Sequence, residues 1–338
     1  MTILVTGGLG YIGSHTVVEL LQNNFEVVII DDLSNTEKFI LKNIEEITGK
    51  KPIFYPFDLK RKELLKQVFD AHKIEGCIHF AAYKAVGESQ EKPIDYYENN
   101  LFSLINLLQE MKERNISNFI FSSSCTVYGQ ADTMPIDENT PLKLPESSYG
   151  KTKQMGEEIL KDFATAHQKK VTLLRYFNPI GAHPSAKLGE LPIGIPNNLV
   201  PYVMQTAAGV REKLSVWGND YETEDGTAIR DYIYVVDLAK AHVKALQKLI
   251  SENSETLVDI YNLGTGKGSS VLEVVHAFEK ANDVAVPYQI CERRAGDITI
   301  AYANADKAEK ELGWKSETSL EEALRTVWQW QKYLETRS

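Results

Sequence analysis

The segment SSYGKTK, residues 147–153, places a tyrosine four positions ahead of a lysine. Side chains four residues apart share one face of a helix, so Tyr149 and Lys153 can act together, whereas Lys151 points away. A free tyrosine, with a pKa near ~10, is a poor base at neutral pH, but a nearby cation favours its phenolate. The pair therefore predicts general acid–base chemistry on a substrate hydroxyl. Since a chain with 16 tyrosines holds about one such spacing by chance, the surrounding elements must support this interpretation.

A run of hydroxyl side chains, SSSCTVYG (122–129), follows an apolar stretch of the chain. Ser124 can hydrogen-bond a substrate hydroxyl or the tyrosine oxygen. Serine and threonine after a strand are also common as ordinary loop residues. Ligands of α/β proteins bind at the carboxyl ends of the strands, and this position favours a role in the site.

A glycine-rich turn, TGGLGYIG (6–13), separates the first predicted strand from the first predicted helix. Gly7, Gly10 and Gly13 allow a tight turn and a close approach of backbone to a pyrophosphate, whose charge would lie at the helix N-terminus. The alternative is a strand-to-helix turn with no ligand. The flanking strand and helix favour a dinucleotide site.

Acidic residues follow the second and third predicted strands. Asp31 ends EVVIID at about the ~20-residue distance at which a carboxylate meets a ribose diol. Asp32 makes a 2'-phosphate still less favourable, so the sequence predicts NAD rather than NADP. Asp58 either hydrogen-bonds an adenine amino group or caps the helix that begins near Lys60.

These residues require a framework, and the first half of the chain predicts one. Near-continuous apolar runs are typical of parallel strands covered on both faces. The predicted strands are 2–6, 26–30, 52–57, 76–81, 118–123 and 171–177. The predicted helices lie near 12–23, 36–48, 60–72, 93–114 and 147–167. This alternation predicts an α/β fold, a Rossmann-type doubly wound parallel sheet with right-handed crossovers.

The alternation stops after residue 177. Residues 178–225 are rich in Pro, Gly and Asn and contain one clear helix, near 199–209. A strand–helix unit returns at 229–249, and the remainder is more helical, ending in a helix at 319–334. We therefore expect a dinucleotide-binding domain of 1–177 plus 226–262. A smaller, mixed C-terminal substrate lobe would comprise 178–225 plus 263–338.

The composition excludes several classes of protein. A net charge of −10 and a pI of about 5.3 argue against a nucleic-acid or anionic-membrane surface. Cys77, Cys125 and Cys291 form no C-x-x-C pattern, which predicts a reducing compartment and neither disulfides nor a metal site. No secretory pattern opens the chain, and no apolar run approaches the ~18–20 residues that span a bilayer. The expected location is the cytoplasm.

The glycine turn, Ser124 and the Tyr149–Lys153 pair together resemble the extended short-chain dehydrogenase/reductase family. Within it, the chain resembles the UDP-galactose 4-epimerases nearly end to end. The segments that carry this closer resemblance are HFAAYKAVGES (79–89), SSSCTVYG, LLRYFNPIGAHPS (173–185), GIPNNL (194–199), GNDYETEDGTAIRDYIYVVDLA (218–239), YNLGTG (261–266) and RRAGD (293–297). The late segments belong to the sugar-nucleotide lobe and are therefore the more specific ones.

The resemblance implies a reaction and its residues. In that family a tyrosine removes the proton of the sugar 4-hydroxyl while C4 gives hydride to tightly held NAD; the 4-keto sugar then rotates and takes the hydride back on its other face. Tyr149 would be base and then acid, Ser124 its hydroxyl partner, and Lys153 both the tuner of the tyrosine and a ribose ligand. The substrates would be UDP-galactose and UDP-glucose, in galactose metabolism. A homodimer would form through the helices at 93–114 and 147–167.

The same resemblance implies two sets of ligand contacts. The cofactor set is Gly7, Gly10, Tyr11, Ile12, Gly13, Asp31, Asp32, Asn35, Asp58, Leu59, Phe80, Lys84, Asn99, Lys153 and Phe177. The substrate set is Ser124, Tyr149, Asn178, Asn198, Leu199, Ser215, Val216, Trp217, Arg230, Arg294, Asp297 and Ala301. Two phosphates need cations on an acidic protein, which suits Arg230 and Arg294. Each arginine could instead be an ordinary surface ion-pair partner.

Other functions remain possible on the same fold. A 4,6-dehydratase needs an acid beside the Ser/Thr position, but Cys125 and Thr126 follow Ser124 here. A simple NAD-dependent dehydrogenase would consume added NAD and release the reduced form. A non-enzymatic NAD sensor would not need the Tyr149–Lys153 pair.

Ala301 bears on substrate range. In the resembling enzymes, the position four residues after the aspartate of RRxGD lines the pocket around the sugar 2-substituent. Some members carry tyrosine there and accept only the glucose-type sugars; others carry a small residue and also accept N-acetyl sugars. Alanine leaves room for an acetamido group, which predicts turnover of UDP-N-acetylhexosamines. The alternative is that Ala301 is merely a small packed residue and that Tyr302 or a neighbouring loop closes the pocket.

Overall fold

The computed structural model describes residues 1–251, 256–294 and 297–337. Its strands are β1 (Thr2–Thr6), β2 (Glu26–Ile30), β3 (Ile53–Tyr55), β4 (Ile74–His79), β5 (Asn118–Ser122), β6 (Lys170–Tyr176), β7 (Asn178–Ile180), β8 (Leu214–Trp217), β9 (Ile229–Arg230), β10 (Tyr232–Tyr234), β11 (Val258–Leu263), β12 (Ser269–Ser270), β13 (Tyr288–Cys291) and β14 (Ile300–Ala301). Within these residues, a seven-stranded sheet runs in the order β11–β6–β5–β4–β1–β2–β3. Every pair in it is parallel. The predicted fold class is thereby confirmed.

The helices are α1 (Tyr11–Gln22), α2 (Phe39–Thr48), α3 (Lys62–Ala71), α4 (Val86–Glu91), α5 (Pro93–Tyr97), α6 (Ser103–Glu113), α7 (Ser148–His167), α8 (Leu199–Ala207), α9 (Val235–Ile250), α10 (Val271–Asn282), α11 (Asp306–Leu312) and α12 (Leu320–Glu335). A π-helical turn over Glu98–Phe102 joins α5 to α6, so the single predicted helix at 93–114 is irregular in its middle. The sequence predicted neither α4 nor the edge strand β11. Helix α4 is only six residues long, and Asp259 and Asn262 interrupt the apolar run of β11.

Alternating side chains of the strands divide the core into two layers. Ile3 and Val5 of β1 belong to the cluster beneath α1 and α9, whereas Leu4 belongs to the cluster beneath α3, α6 and α7. All three side chains are fully buried. Successive strand residues point to opposite faces, so burial on both sides explains why the strands are apolar throughout.

Smaller sheets lie beyond the end of the central sheet. β7 pairs with β10, β8 pairs with β13, and β9 lies between β12 and β14. The β12–β9 pair is antiparallel and the other pairs are parallel. Ser270 and Ser319 begin α10 and α12 with complete capping boxes, which is why these helices start where they do.

None of the helices within the described residues is both long enough and apolar enough to cross a lipid bilayer.

Candidate functional site

Helix α7 carries the tyrosine–lysine pair, and its first turn is built for close packing. The side chain of Ser147 accepts a hydrogen bond from the Gly150 amide at 3.1 Å and caps the helix. A Cβ at position 150 would lie 2.7 Å from Cβ of Pro145. The glycine in this turn is therefore required by the approach of the preceding loop, which brings Tyr149 against the sheet.

The side chains of Tyr149 and Lys153 are both buried, at 7% and 4% exposure, whereas Lys151 is half-buried. Lys153 Nζ lies 5.8 Å from the centroid of the Tyr149 ring and donates a hydrogen bond of 2.6 Å to the Ser122 carbonyl oxygen. The predicted separation of Lys151 from the pair agrees with this helical geometry. The lysine charge therefore acts on the tyrosine through space rather than through a direct hydrogen bond.

Burial dominates the electrostatics of these groups. It raises the pKa of the Tyr149 phenol well above its usual range, and the Ser124 hydroxyl facing the phenol opposes that rise. Burial also lowers the pKa of the Lys153 ammonium to about 7, against which the negative charge of Glu157 acts. A charged ligand at this site would therefore lie beside a lysine whose pKa is close to neutral pH. Such matched, perturbed groups mark functional sites.

The glycine turn lies at the same edge of the sheet. A Cβ on Gly13 would lie 2.1 Å from the carbonyl oxygen of Gly7, and one on Gly7, at φ 68°, would lie 2.7 Å from the Ala81 amide nitrogen. These positions admit only glycine. Helix α1 begins at Tyr11 with no side-chain cap and no acidic residue in its first turn, which leaves its N-terminus free for an anion.

Asp31 is 8% exposed and braces the turn. Its carboxylate accepts hydrogen bonds of 3.0 Å from the amides of Leu9 and Leu33. Burial raises the pKa of this carboxyl, and those two amides oppose the rise. A carboxylate has about four acceptor positions, so these two hydrogen bonds leave acceptor capacity for a ribose hydroxyl. The cradle and its acid together fit a dinucleotide.

Several further members of the predicted cofactor set follow strand ends. Phe80 follows β4, with its ring centroid 4.8 Å from that of His242, and Phe177, which follows β6, is buried. Asn99 is buried in the π-helical turn, and Tyr11 donates to the Gly181 carbonyl oxygen at 2.7 Å. Phe80 and Phe177 therefore lie at the carboxyl edge of the sheet, as a nucleotide site on this fold requires.

Other members of the cofactor set have protein partners. Asp58 accepts from the Lys60 amide at 2.8 Å in the turn before α3, but that helix begins at Lys62 after Arg61 and has no side-chain cap, so the capping role that was the alternative for Asp58 is wrong. Lys84 Nζ lies 2.8 Å from Oε1 of Glu190. Asp32 is exposed and accepts from the Ser34 amide, and Asn35 is also exposed. The remaining members, Ile12 and Leu59, pack into the two core layers, so Leu59 can reach a ligand only through its backbone.

The substrate set gathers on the small sheets. Ala301 of β14 pairs with Arg230 of β9, and the positive charge of Arg230 reaches the Cys125 thiol beside Ser124. Burial raises the pKa of that thiol to about 12, and Arg230 opposes the rise. Within the described part of the chain Arg230 has no ion-pair partner, although acidic residues surround it in the sequence. This arginine is therefore available to an anionic ligand next to the catalytic candidates.

Arg294 lies with its guanidinium carbon 5.9 Å from the centroid of the Trp217 ring and forms an ion pair with Asp297 at 3.1 Å. Trp217 is 41% exposed, a free aromatic face beside a cation. Ala295 and Gly296 of the RRAGD motif lie outside the described residues. This corner combines a stacking surface with positive charge, which suits a nucleotide base and its phosphates.

The other substrate candidates differ in their hydrogen-bond partners and in their burial. The Asn178 amide donates to the Asp231 carbonyl oxygen at 2.9 Å, and Asn198, which precedes Leu199 at the start of α8, is held by Glu190 at 2.9 Å. Ser215 is half-buried, whereas Val216 is fully buried in the core. Val216 can therefore contact a ligand only through its backbone.

The sequence reasoning missed a group of polar residues beneath the site. Ser123, Glu157 and Arg175 are buried, and both Ser123 and Arg175 donate hydrogen bonds to the Glu157 carboxylate. Glu157 repeats the four-residue spacing of Tyr149 and Lys153, and this continuation of the stripe was the available signal. Arg175 lies in an apolar strand, where its partner could not be read from local pattern.

Comparison with known proteins gives consistent likenesses. The family model described as GDP-mannose 4,6 dehydratase matches residues 4–327. A UDP-glucose 4-epimerase of Bacillus subtilis is 53% identical over 332 residues, 98% of this chain and 97% of that protein. The crystal structure of the Bifidobacterium longum UDP-glucose 4-epimerase in complex with NAD+ and UDP has a TM-score of 0.94 at 48% identity, covering 98% of each chain. The UDP-Glc/GlcNAc 4-epimerase of Campylobacter jejuni has a TM-score of 0.85 at 35% identity, covering 98% of this chain and 99% of that one.

Proposed function

The chain belongs to the UDP-glucose 4-epimerase family of extended short-chain dehydrogenases/reductases, and we propose that Tyr149 is the acid–base residue of its reaction. It interconverts UDP-galactose and UDP-glucose with NAD as cofactor. The predicted family, activity and cofactor are thereby confirmed. One observation carries the proposed residue roles: the buried Tyr149 faces Ser124 and lies 5.8 Å from the Lys153 ammonium at the carboxyl edge of the sheet.

The glycine turn and Asp31 would hold NAD, which when bound would supply the hydride acceptor for C4 of the sugar and the hydride donor for its re-reduction. Tyr149, in its phenolate form, accepts the proton of the sugar 4-hydroxyl and returns that proton when the sugar is reduced. Lys153 stabilises the phenolate by its positive charge, and Ser124 orients the hydroxyl being deprotonated. Since burial opposes the phenolate, this charge is what makes the tyrosine usable as a base.

Arg230 and Arg294 are the proposed ligands of the diphosphate, with Trp217 against the uracil. On a chain of net charge −10, a dianionic substrate requires local cations. The ion pair of Arg294 with Asp297 is on the surface, where such pairs contribute little, so a phosphate can displace it.

The absence of an acid after Ser124 separates this site from 4,6-dehydration. Cys125 and Thr126 occupy those positions, and the Cys125 thiol is kept protonated by burial. Elimination of water from the sugar needs a proton donor for the departing hydroxyl, and this thiol is too weak an acid. The geometry therefore supports oxidation and re-reduction at C4 alone.

We also propose turnover of the N-acetyl sugars. Ala301 is 9% exposed and packs with Val127 and Phe177 on the wall that carries Ser124. A small residue here leaves space where a tyrosine would project. The Campylobacter jejuni neighbour, a UDP-Glc/GlcNAc 4-epimerase, offers a precedent for this range on the same fold.

The homodimer and the two-lobe division are likewise proposals. Ile94, Phe102 and Met155 expose 72%, 55% and 45% of their surface on the helical segments at 93–113 and 148–167. Large exposed apolar side chains at such density are typical of an interface, which supports pairing through these helices. The proposed lobes keep the boundaries 1–177 plus 226–262, and 178–225 plus 263–338, and the proposed location is the cytoplasm.

The test is incubation of purified protein with UDP-galactose and no added NAD. The expected product is UDP-glucose, with NAD recovered from the denatured protein. Strict dependence on added NAD with net release of NADH would instead support the dehydrogenase alternative. In parallel, Tyr149→Phe tests the assigned base.

A further inference from the structure

A buried ion pair lies beneath the catalytic candidates. Arg175 Nε lies 2.9 Å from Oε1 of Glu157, and Arg175 Nη2 lies 2.5 Å from Oε2. The two side chains are 2% and 0% exposed. Replacing such a pair by apolar residues of similar size is often neutral or stabilising, so stability alone is a weak reason for its presence.

Glu157 stands in register with the catalytic stripe of α7. Tyr149, Lys153 and Glu157 recur every four residues and therefore share one helix face. This face meets three consecutive serines at the end of β5: Ser124 faces Tyr149, the Ser122 carbonyl oxygen accepts from Lys153 at 2.6 Å, and the Ser123 hydroxyl donates to Glu157 at 2.6 Å. Each of these three helix residues thus faces or bonds to one of the three serines at the strand end.

We propose that Glu157 is a positioning residue of the reaction: it keeps the neighbouring Lys153 ammonium charged and anchors the strand end that presents Ser122 and Ser124. Arg175 pairs with Glu157 in the interior and fixes the ionised carboxylate by two parallel hydrogen bonds. The inference rests on the proposed roles of Tyr149 and Lys153.

Arg175 also connects this carboxylate to the turn that follows Ser124. Its Nη1 donates to the Tyr128 hydroxyl at 3.0 Å, and Tyr128 donates to Asn262 at 2.7 Å. Asn262 in turn donates to the Ile136 carbonyl oxygen at 2.9 Å, next to the strand that carries Ala301. The turn at 125–128, which follows Ser124, is therefore tied to the same carboxylate.

The other titratable groups around Lys153 and Tyr149 do not titrate near neutrality. On β4, burial and then the Lys153 charge lower the pKa of His79 to about 3. Burial raises the pKa values of Tyr176 on β6 and of Cys125 after β5 to about 12 each. Burial raises the pKa of Tyr149 on α7 still further. Between these pKa values, near neutral pH, Glu157 is the charged group that opposes the loss of the Lys153 proton.

The test compares pH profiles of kcat in Glu157→Gln and in the double variant Glu157→Gln with Arg175→Met. Loss of the carboxylate charge lowers the pKa of Lys153, so the alkaline limb should move to lower pH, by about one unit in Glu157→Gln and by less in the double variant, which also loses the Arg175 cation. The single variant leaves Arg175 unpaired and should unfold more readily, whereas the double variant should regain much of its stability.

A purely structural role gives a different pattern. If the double variant recovers both the stability and the wild-type alkaline limb, the inference is wrong. The double variant also keeps the test decisive if Glu157→Gln alone does not fold. Glu158→Gln, at an exposed neighbour on α7 paired with Lys161, is the matched control and should leave the profile unchanged.

Tyr149→Phe, measured beside these variants, distinguishes a failure of the proposed base from a failure of the proposed role of Glu157. If it retains full activity, the proposed base is wrong whatever the profiles show. If it loses activity while the alkaline limb of the Glu157 variants stays at the wild-type pH, the proposed function stands and the role of Glu157 is refuted.

Discussion

Lys153 Nζ lies 5.8 Å from the centroid of the Tyr149 ring and donates a hydrogen bond to the Ser122 carbonyl oxygen instead. The two catalytic candidates therefore interact by charge across a buried space. In such a space the low dielectric strengthens the attraction between ammonium and phenolate. The same burial lowers the pKa of Lys153 to about 7, so the pair is sensitive to any charge placed beside it.

Tyr149→Phe should lower kcat by about 10²–10⁴-fold, because the ring remains and the proton acceptor is lost. Bound NAD should be retained, since the glycine turn is untouched. Steady-state epimerase assays and NAD release on denaturation measure the two effects. Undiminished turnover would assign the base elsewhere.

Lys153→Met should shift the pH at which the remaining base acts to higher values, because the phenolate loses its cation. Lys151→Met is the matched control, two residues away on the half-buried side, and should leave the profile close to wild type. Equal damage from both substitutions would contradict the placement of the pair on one face of α7.

Gly13→Ala should abolish NAD retention and lower Tm. The added Cβ would lie 2.1 Å from the Gly7 carbonyl oxygen, so the backbone of the turn has to move away from the position that meets a pyrophosphate. Gly87→Ala in α4 is the control, because a Cβ there meets nothing within 4 Å. Its effect should be neutral or slightly stabilising, since alanine favours helix. NAD content per purified chain is the measurement; full occupancy in Gly13→Ala would contradict the assignment.

Wild-type protein should interconvert UDP-N-acetylglucosamine and UDP-N-acetylgalactosamine, and Ala301→Tyr should remove this activity while sparing the glucose pair. Analysis of the products formed from both sugar pairs measures these two activities. If the wild type lacks N-acetyl turnover and Tyr302→Ala gains it, Tyr302 rather than Ala301 closes the pocket.

The protein without substrate should lose stability on acidification below about pH 6.5, the ordinary pKa of histidine. Burial lowers the folded-state pKa values of His15 and His79 to about 3 and that of His242 to about 4. The unfolded chain therefore takes up protons that the folded chain refuses, so stability is full above pH 6.5 and falls towards pH 4. Three such groups give a slope of at most about 4 kcal/mol per pH unit.

Urea unfolding midpoints near neutrality and in mild acid measure this acid sensitivity. His242→Leu should reduce it, because one buried imidazole is removed, whereas His276→Gln, at an exposed position, should not. Equal acid sensitivity in wild type and His242→Leu would exclude this histidine as a contributor.

Much of the fold was determined by local sequence. Burial on both faces imposes continuous apolar strands, and a strand-to-helix turn that meets a pyrophosphate imposes glycine, so β1, α1 and the turn between them could be predicted. The four-residue period of a helix also placed Tyr149 and Lys153 on one face without any tertiary information. These features depend on neighbours a few residues away in the chain.

Tertiary structure alone decided which distant residues meet. Glu157 pairs with Arg175 of β6, Arg230 pairs with Ala301 across two small strands, and β11 adds itself to the edge of the large sheet beside β6. It also turned the side chain of Val216 into the core, which leaves the backbone of this residue for the ligand contact that the resemblance implied. Such contacts are set by strand register and by the packing of whole layers, and a single local pattern is compatible with many partners.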